Sequence, residues 1–598
     1  MRSRAGFDGA RAVRVTNVNG RIVFRLDGSF PSRQGVSRDR TPVRKKRFGS
    51  LRILAFAAFL AITHTRATAR DYFFDAVKGS DESEGTELCP LRSIARANAL
   101  AVAPGDRLLF HSGQTFRGNL VVAGDGEGSP DSPIVIGSSG DGRAVIDAGL
   151  GTGVWVRNLG GVIIQDLTIV GAGAGKNCGS GARVENTLSA SARLDFVRVQ
   201  RVTCVGFGGY PGPVWDGYGG PSNYGEGIFI GGRPSDRSKS GYCDVRVEDC
   251  ETYNNQYYGI YVSGAWNPSI EAYANSDVHV VNCKAHHNLG DPNYRTNHSG
   301  NGILLEEVDG GTIERCAAWE NGALCACPIG GPVGIWAASA NAIVIRECVS
   351  FANHTASLDG AGFDLDGGVS NSTIERCTSH DNDGAGILLY SYPGSPHRFA
   401  GNVVRDNFSA NDGKKNHMAG IAIGSHGGIF EGVEIYRNTI YASSKAGSDR
   451  AVTVFGAQAR GISFHHNLVV ASDGARLLEA ISQPGLSFSE NAYDSADSAF
   501  SMVFDGAEYG SLAALRDGAG QETSEGDEAR LRALAVLPAD FDTWLQAAVA
   551  QVSEPDAAVG ALAKKEPAQA GEETATKETK SPGSVMQILG VLLPPMLK

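Results

Sequence analysis

Asp244–Ser263 reads DVRVEDCETYNNQYYGIYVS. Its two ends, VRVE before Cys250 and GIYVS from Gly259, alternate apolar and polar residues, the pattern of strands with one buried side. Between them Cys250 and Asn255 stand five residues apart. That spacing recurs at Cys283 and Asn288, Cys316 and Asn321, Cys348 and Asn353, and Cys377 and Asn382, so the cysteines step by 33, 33, 32 and 29 residues. Each Cys follows an apolar run (VHVVNC, TIERC, IVIREC, TIERC). Each Asn precedes a run that opens on Gly: GILLE from Gly302, GIWAA from Gly334, GFDLD from Gly362 and GILLY from Gly386. Two or three short strands per repeat cannot bury their apolar sides alone and must stack on the next repeat, which makes the chain a parallel β-solenoid.

In a solenoid the repeated Asn is expected to take the left-handed bend and to bond the Asn of the next coil through its amide. The column cysteines read as small buried apolar residues, although coils about 4.8 Å apart leave bridging geometrically open. Eleven cysteines are an odd number, so at least one stays unpaired; Cys178, Cys204, Cys243, Cys325 and Cys327 lie off the column or at its edge, and a bridge among them is open. Cys325-Ala326-Cys327 lacks a second pair at ligand spacing, which argues against zinc.

The 598 residues include 78 glycines and carry a net charge of −11 without a large basic patch. One repeat pattern and that charge favour a single long solenoid and argue against nucleic acid as a partner, while an acidic polysaccharide stays open. Residues 1–69 read as an N-terminal extension and signal peptide: Arg44-Lys45-Lys46-Arg47, the apolar Leu51–Ile62, and Ala67-Thr68-Ala69 as a cleavage site. About a dozen apolar residues are too few for a comfortable membrane span, so membrane attachment follows only if the segment stays uncleaved as an anchor. The extension is long for such a signal, and no Met lies between Met1 and Met418. Maturation near Arg70 predicts a secreted, periplasmic or cell-surface protein. Residues 70–125 then form a cap, 126–500 the solenoid, 501–560 a helical segment centred on 529–551, and 561–598 a disordered tail with an apolar end at Val585–Leu597.

Asp71–Gly118, with its extended run, Gly-Thr at 85–86, a helix ending near Asn98 and Pro104-Gly105-Asp106, resembles the lead-in of secreted right-handed parallel β-helix proteins of the pectate-lyase-like superfamily. The resemblance implies an all-β, single-stranded right-handed β-helix whose N-terminal helix covers an end that would otherwise template aggregation. It extends to about Tyr493. GFDLDGGVSNS (Gly362–Ser372) and HDNDGAG (His380–Gly386) are similar to bacterial β-helix repeat proteins, a likeness that implies fold without an activity.

Alternation assigns faces on the Gly-led strands. Ile303, Ile335, Phe363 and Ile387 point inward. Leu304, Trp336, Asp364 and Leu388, and then Glu306, Ala338, Asp366 and Tyr390, point outward. Asp364 and Asp366 are therefore read as two exposed carboxylates about 6.5–7 Å apart, with Glu306 two coils away at about 9.6 Å. Such separations suit a general acid and a general base on either side of a glycosidic bond. Trp336, Tyr390 and Tyr261 are the candidate sugar-stacking rings. The competing reading is a solvated strand face.

Asp381 and Asp383 would cap the turn, bind Ca²⁺ or reach the same groove. His298 and His354 are the histidine candidates, and His287 reads as a turn residue. From Cys to the next opening Gly there are 9 residues at Cys250 and Cys377 but 19, 18 and 14 at Cys283, Cys316 and Cys348. These insertions predict loops along one edge, around Asp291–Gly300, Ala323–Pro332 and His354–Gly360; Gly231–Tyr242 and Gly264–Asp277 supply the other wall.

Polygalacturonase-like hydrolases resemble this chain in placing Asp on consecutive coils, but their Gly-His-Gly and Arg-x-Lys signatures are missing; Ser425-His426-Gly427-Gly428 is a loose echo. Asp-Pro-His-Asp of mannuronan epimerases is absent. The strand face offers no Lys or Arg for a lyase, so one would have to enter from Lys284, Arg295 or Arg398. The reading is a carbohydrate-active β-helix, first a glycoside hydrolase using Asp364, Asp366 and Glu306. The alternatives are a polysaccharide lyase or uronate epimerase, and a non-catalytic glycan-binding or surface-structural solenoid.

Overall fold

The computed structural model describes residues 14–18, 21–25, 69–126, 130–209, 225–456, 458–495, 499–524 and 526. Arg14–Val18 pairs antiparallel with Arg21–Arg25, a hairpin in the N-terminal extension. That unit ends at Arg66, and the solenoid unit begins at Ala67. The expected signal core, the helix at 529–551 and the tail lie outside the described residues. Among the described residues no helix is long and apolar enough to cross a membrane.

From Asp71 onward the chain coils through three sheets in turn, of 15, 13 and 14 strands, each strand pairing parallel with its counterpart one coil away except at the last pair of the third sheet. The run before each Cys lies in the first sheet, the three residues after it in the second, and the Gly-led run in the third. Coil register follows the cysteine steps: Lys284 pairs Ala317, which pairs Val349. Inward residues such as Ile260, Ile303, Ile335, Phe363 and Ile387 stack into one continuous core.

Asparagine forms the expected column, with one change. Nδ2 of Asn288, Asn321 and Asn353 each donates to Oδ1 of the next Asn at 2.9 Å, and Asn382 donates to Asp412 Oδ1 at 2.7 Å. The left-handed bend falls on the residue before: Asn254, His287, Glu320, Ala352 and Asp381 have φ of 54°, 52°, 50°, 48° and 60°. The Asn side chain must turn inward to reach its neighbour, so the preceding residue takes the bend. Ladder bonds on both sides hold it there even when it is Ala or Glu.

The column cysteines are buried thiols, as are Cys204, Cys325 and Cys327, and Cys243 is a partly buried one. Cys283 N–H points to Cys316 Sγ at 3.3 Å, and the Cys283 thiol donates to Val281 O at 3.3 Å. The same column continues as asparagine: Cys377 N–H donates to Asn407 Oδ1 at 2.9 Å, and Asn407, Asn438, Asn467 and Asn491 then bond in series at 2.9–3.0 Å. Asn491 ends it by donating to Glu522 at 2.6 Å.

Both ends of the coil are closed. At the N-terminal end helix Ile94–Asn98 is capped by Ser93, whose hydroxyl accepts Arg96 N–H at 3.0 Å, and it buries Ile94 and Ala97. At the other end Met502–Phe504 pairs antiparallel with Ala507–Tyr509, and helix Leu512–Ala519 buries Leu515. Strands thus run past residue 500, where a helical segment was expected to begin.

Candidate functional site

The third sheet sets out the expected outward row: Leu304 pairs Trp336, Trp336 pairs Asp364, and Asp364 pairs Leu388. Outward, however, does not mean exposed. Asp364 is only 3% exposed and Asp366 is half-buried, correcting the expectation of two solvent-facing carboxylates. The insertion loops are the cause. Asn297 and His298, Ile329 and Gly330, Leu358 and Asp359 come from the long loops on one edge and Trp266 from the other, and all line a cavity of about 1340 Å³ over this sheet.

The carboxylates gather on its floor. Burial, then the neighbouring Asp366 and Asp359, hold the Asp364 carboxyl well above the usual range. Asp366 is pushed up to about 7 by burial, which outweighs the Gly367 N–H donating to its Oδ1 at 2.7 Å; Asp359 and Glu306 add to the rise. Burial lifts Asp359 to about 6. Glu306 is raised by burial as well, opposed by the Ser263 and Tyr261 hydroxyls, which donate to Oε2 at 2.6 and 2.5 Å. Among the described residues Asp364 Oδ1 and Trp336 Nε1 are buried polar atoms with no hydrogen-bond partner. Groups left so are expensive, and they cluster where a ligand completes them.

The predicted rings divide. Trp336 and the half-buried Tyr390 line the cavity, and the Tyr390 hydroxyl contacts His426 Nδ1. Tyr261 also lines it, but its ring is stacked on Tyr258 with centroids 4.0 Å apart and meets Phe229 edge-on at 5.7 Å. That packing leaves no ring face for a sugar. His298 lies in the wall, 5.1 Å from Trp336 between ring centroids and 3.0 Å from Asn301 Nδ2. Burial brings it down to about 4, so it is neutral at pH 7.

His354 and Asp383 are not brought to the cavity. They pair with each other at 3.4 Å, and Asp383 also meets Lys415 at 2.8 Å and the Thr355 N–H at 2.9 Å. Asp381 meets Lys414 at 2.7 Å and His380 at 3.0 Å. Both carboxylates expected to offer Ca²⁺ a site are occupied by the protein's own cations, so these residues do not fit the ion. Among the described residues no cluster of three or more potential ligands is arranged to hold a metal.

Asp359, Tyr258, Trp266, Tyr392 and Arg450 also line the cavity and were not singled out from sequence. Asp359 sits in an insertion already recognised, one residue before Gly360. Arg450 opens strand Arg450–Phe455, in a coil beyond the last Cys, where the spacing no longer marks the register.

The family model described as the right handed beta helix region matches residues 222–491. The fold is a right-handed parallel β-helix. Among solved structures, a GH136 lacto-N-biosidase from Eubacterium ramulus is similar at 15% identity and a TM-score of 0.50, over 71% of this chain and 68% of that one, in its selenomethionine derivative. Its native form gives 15% and 0.49 over 73% and 68%. The A-module of mannuronan C-5 epimerase AlgE4 from Azotobacter vinelandii gives 14% and 0.42 over 69% and 92%. At 15% identity the likeness at a TM-score of 0.50 speaks for the fold and not for a reaction. No curated protein sequence matches this chain.

Proposed function

We propose that this β-helix is an enzyme that hydrolyses glycosidic bonds of an uncharged polysaccharide in the third-sheet groove, with Asp364 as general acid and Asp366 as general base. The observation that carries the reading is Asp364: a buried carboxyl whose proton is held well above the usual carboxylate range by burial, with an unpartnered oxygen, two residues from a second carboxyl on the same face. As the glycosidic C–O bond breaks, Asp364 gives its proton to the departing oxygen. Asp366 takes a proton from the water whose oxygen bonds to the anomeric carbon, and solvent then returns both groups to their starting states. Cα atoms two apart on a strand are about 6.5–7 Å from each other; carboxyl groups held that far apart would leave room for the water, as an inverting hydrolase needs. Glu306, fixed by Tyr261 and Ser263, is placed to bind sugar hydroxyls.

Charge favours hydrolysis over elimination or epimerisation. Four carboxyl groups, Glu306, Asp364 and Asp366 on the sheet and Asp359 in the edge loop, line the groove; Arg450, the arginine in the lining, is paired with Glu479 at 3.3 Å. His298 is neutral and Tyr390 is pushed up to about 12 by burial. A uronate would be repelled by these carboxyl groups. The same reading takes the protein to be exported and matured near Arg70, which N-terminal sequencing of the exported protein tests.

A panel of polysaccharides and oligosaccharides read by mass spectrometry tests the function. Products heavier by one water, lost in Asp364→Asn with folding intact, are expected. Unsaturated products would select the lyase, and retained binding without products would select a glycan-binding solenoid.

A further inference from the structure

The two ends of the groove differ. Toward the N-terminal coils the outward row of the third sheet runs from Leu304 to Tyr261, Phe229 and Arg183, and Tyr261, Phe229 and Arg183 are fully buried. They fill one another's space: Tyr258 stacks on Tyr261, Tyr261 abuts Phe229, and the Arg183 guanidinium carbon lies 4.1 Å over the Phe229 ring. Trp266 and His298 stand at the same end of the cavity. Toward the C-terminal coils the row runs from Asp364 through Leu388, Ala422, Thr453 and Glu479 to Val503. There Ile481 is 48% exposed and Asp505 and Gly506 are open to solvent.

At about 4.8 Å per coil, Asp364 is about 14 Å from the wall at Tyr261 and about 24 Å from Val503 at the open mouth. A polymer can lie in the long arm and leave through the mouth, whereas the short arm has no exit along the sheet.

Resting on the hydrolase reading above, we infer that the groove acts on chain ends: a short terminal unit enters the closed arm beside Tyr258, Trp266 and His298 while the rest of the chain extends past Ile481 and Asp505. The acid and base, three coils from the wall, then set the length released. Trp266, partly buried on the rim, is the ring best placed to bound that unit.

The test uses the full chain and a size series of the uncharged oligosaccharide cleaved in the panel, followed from the earliest turnovers by mass spectrometry. One short product of constant size and substrates shortened by that unit are expected. A ladder of mid-length products at the earliest times would overturn the chain-end inference while leaving the hydrolase intact. No cleavage of any glycan would overturn the hydrolase reading and this inference with it. Trp266→Ala is expected to raise KM at least about tenfold for the shortest substrate with kcat changed less than threefold, the mark of lost binding outside the reacting centre. An unchanged KM would remove the terminal subsite.

Discussion

The asparagine columns inside the coil and the carboxyls over the third sheet are both rows of buried polar groups, and they are built in opposite ways. Asn353 has Asn321 donating to its oxygen, while its own amide donates to Asn382 and to Ser350. Asp364 is as deeply buried, with one oxygen unpartnered and two further carboxyls raising the cost of its charge. A satisfied network strengthens the fold it sits in, whereas an unsatisfied acid weakens it. The contrast separates residues that hold the solenoid from those that a ligand would complete.

Asp364→Asn should break the contrast most clearly. Loss of the general acid is expected to lower kcat about 10²–10⁴-fold, while thermal unfolding occurs no earlier than in the parent. A fall in both together would return Asp364 to the structural class.

The pH profile is next. Asp366 must be ionised and Asp364 protonated, so kcat/KM should rise about tenfold per unit up to about pH 7, where Asp366 titrates, and fall again at higher pH as Asp364 ionises. A profile flat from pH 5 to 8 would remove Asp366 as the base.

Asn353→Ala should show the reverse of Asp364→Asn, with stability reduced by about 2–4 kcal/mol in denaturant titration and kcat of the folded protein retained.

Asp412 sharpens the comparison, since it is a carboxyl placed within an asparagine column. Burial pushes it up to about 6, so the folded state holds its proton to higher pH than the unfolded chain does; that share of stability, full below pH 3.8, is lost as pH rises through 6. Asn382 and Asn353 show how an amide fits there, each donating to the Ser three residues earlier at 2.9–3.0 Å, where Ser409 meets Asp412 at 2.7 Å. Asp412→Asn is therefore expected to raise stability by about 1–2 kcal/mol at pH 8 and by nothing at pH 4.

Cys316→Ala should do least, costing about 1 kcal/mol with activity unchanged, because the thiol fills a small buried space and forms weak hydrogen bonds.

Much of the scaffold was legible. Stepping from Cys250 to Cys377 aligned Leu304, Trp336, Asp364 and Leu388 in one outward row, the row the strands form, because a parallel strand pair fixes register and alternation fixes face. The resemblance at Asp71–Gly118 located the capping helix to its last residue. Local rules did less well where a bend and a side-chain bond compete, as when the left-handed turn fell one residue before each Asn. They failed beyond Cys377, where Asn407 replaces Cys in the column and Arg450 went unseen.

Sequence by itself determined the solenoid, its register and which side chains leave the core, since each depends on a period of two along the strand and a period of about thirty along the chain. Only the tertiary structure decided what those side chains meet. Loops inserted in separate coils fold over one sheet and turn an outward face into a groove. Tyr261, 45 residues from Glu306, gives it a hydrogen bond in place of offering a ring to sugar. Lys415 neutralises Asp383 and His354 lies beside it, while Asp364 has an oxygen left unpartnered. Burial and charge are properties of neighbours in space, and in this chain those neighbours are tens of residues apart.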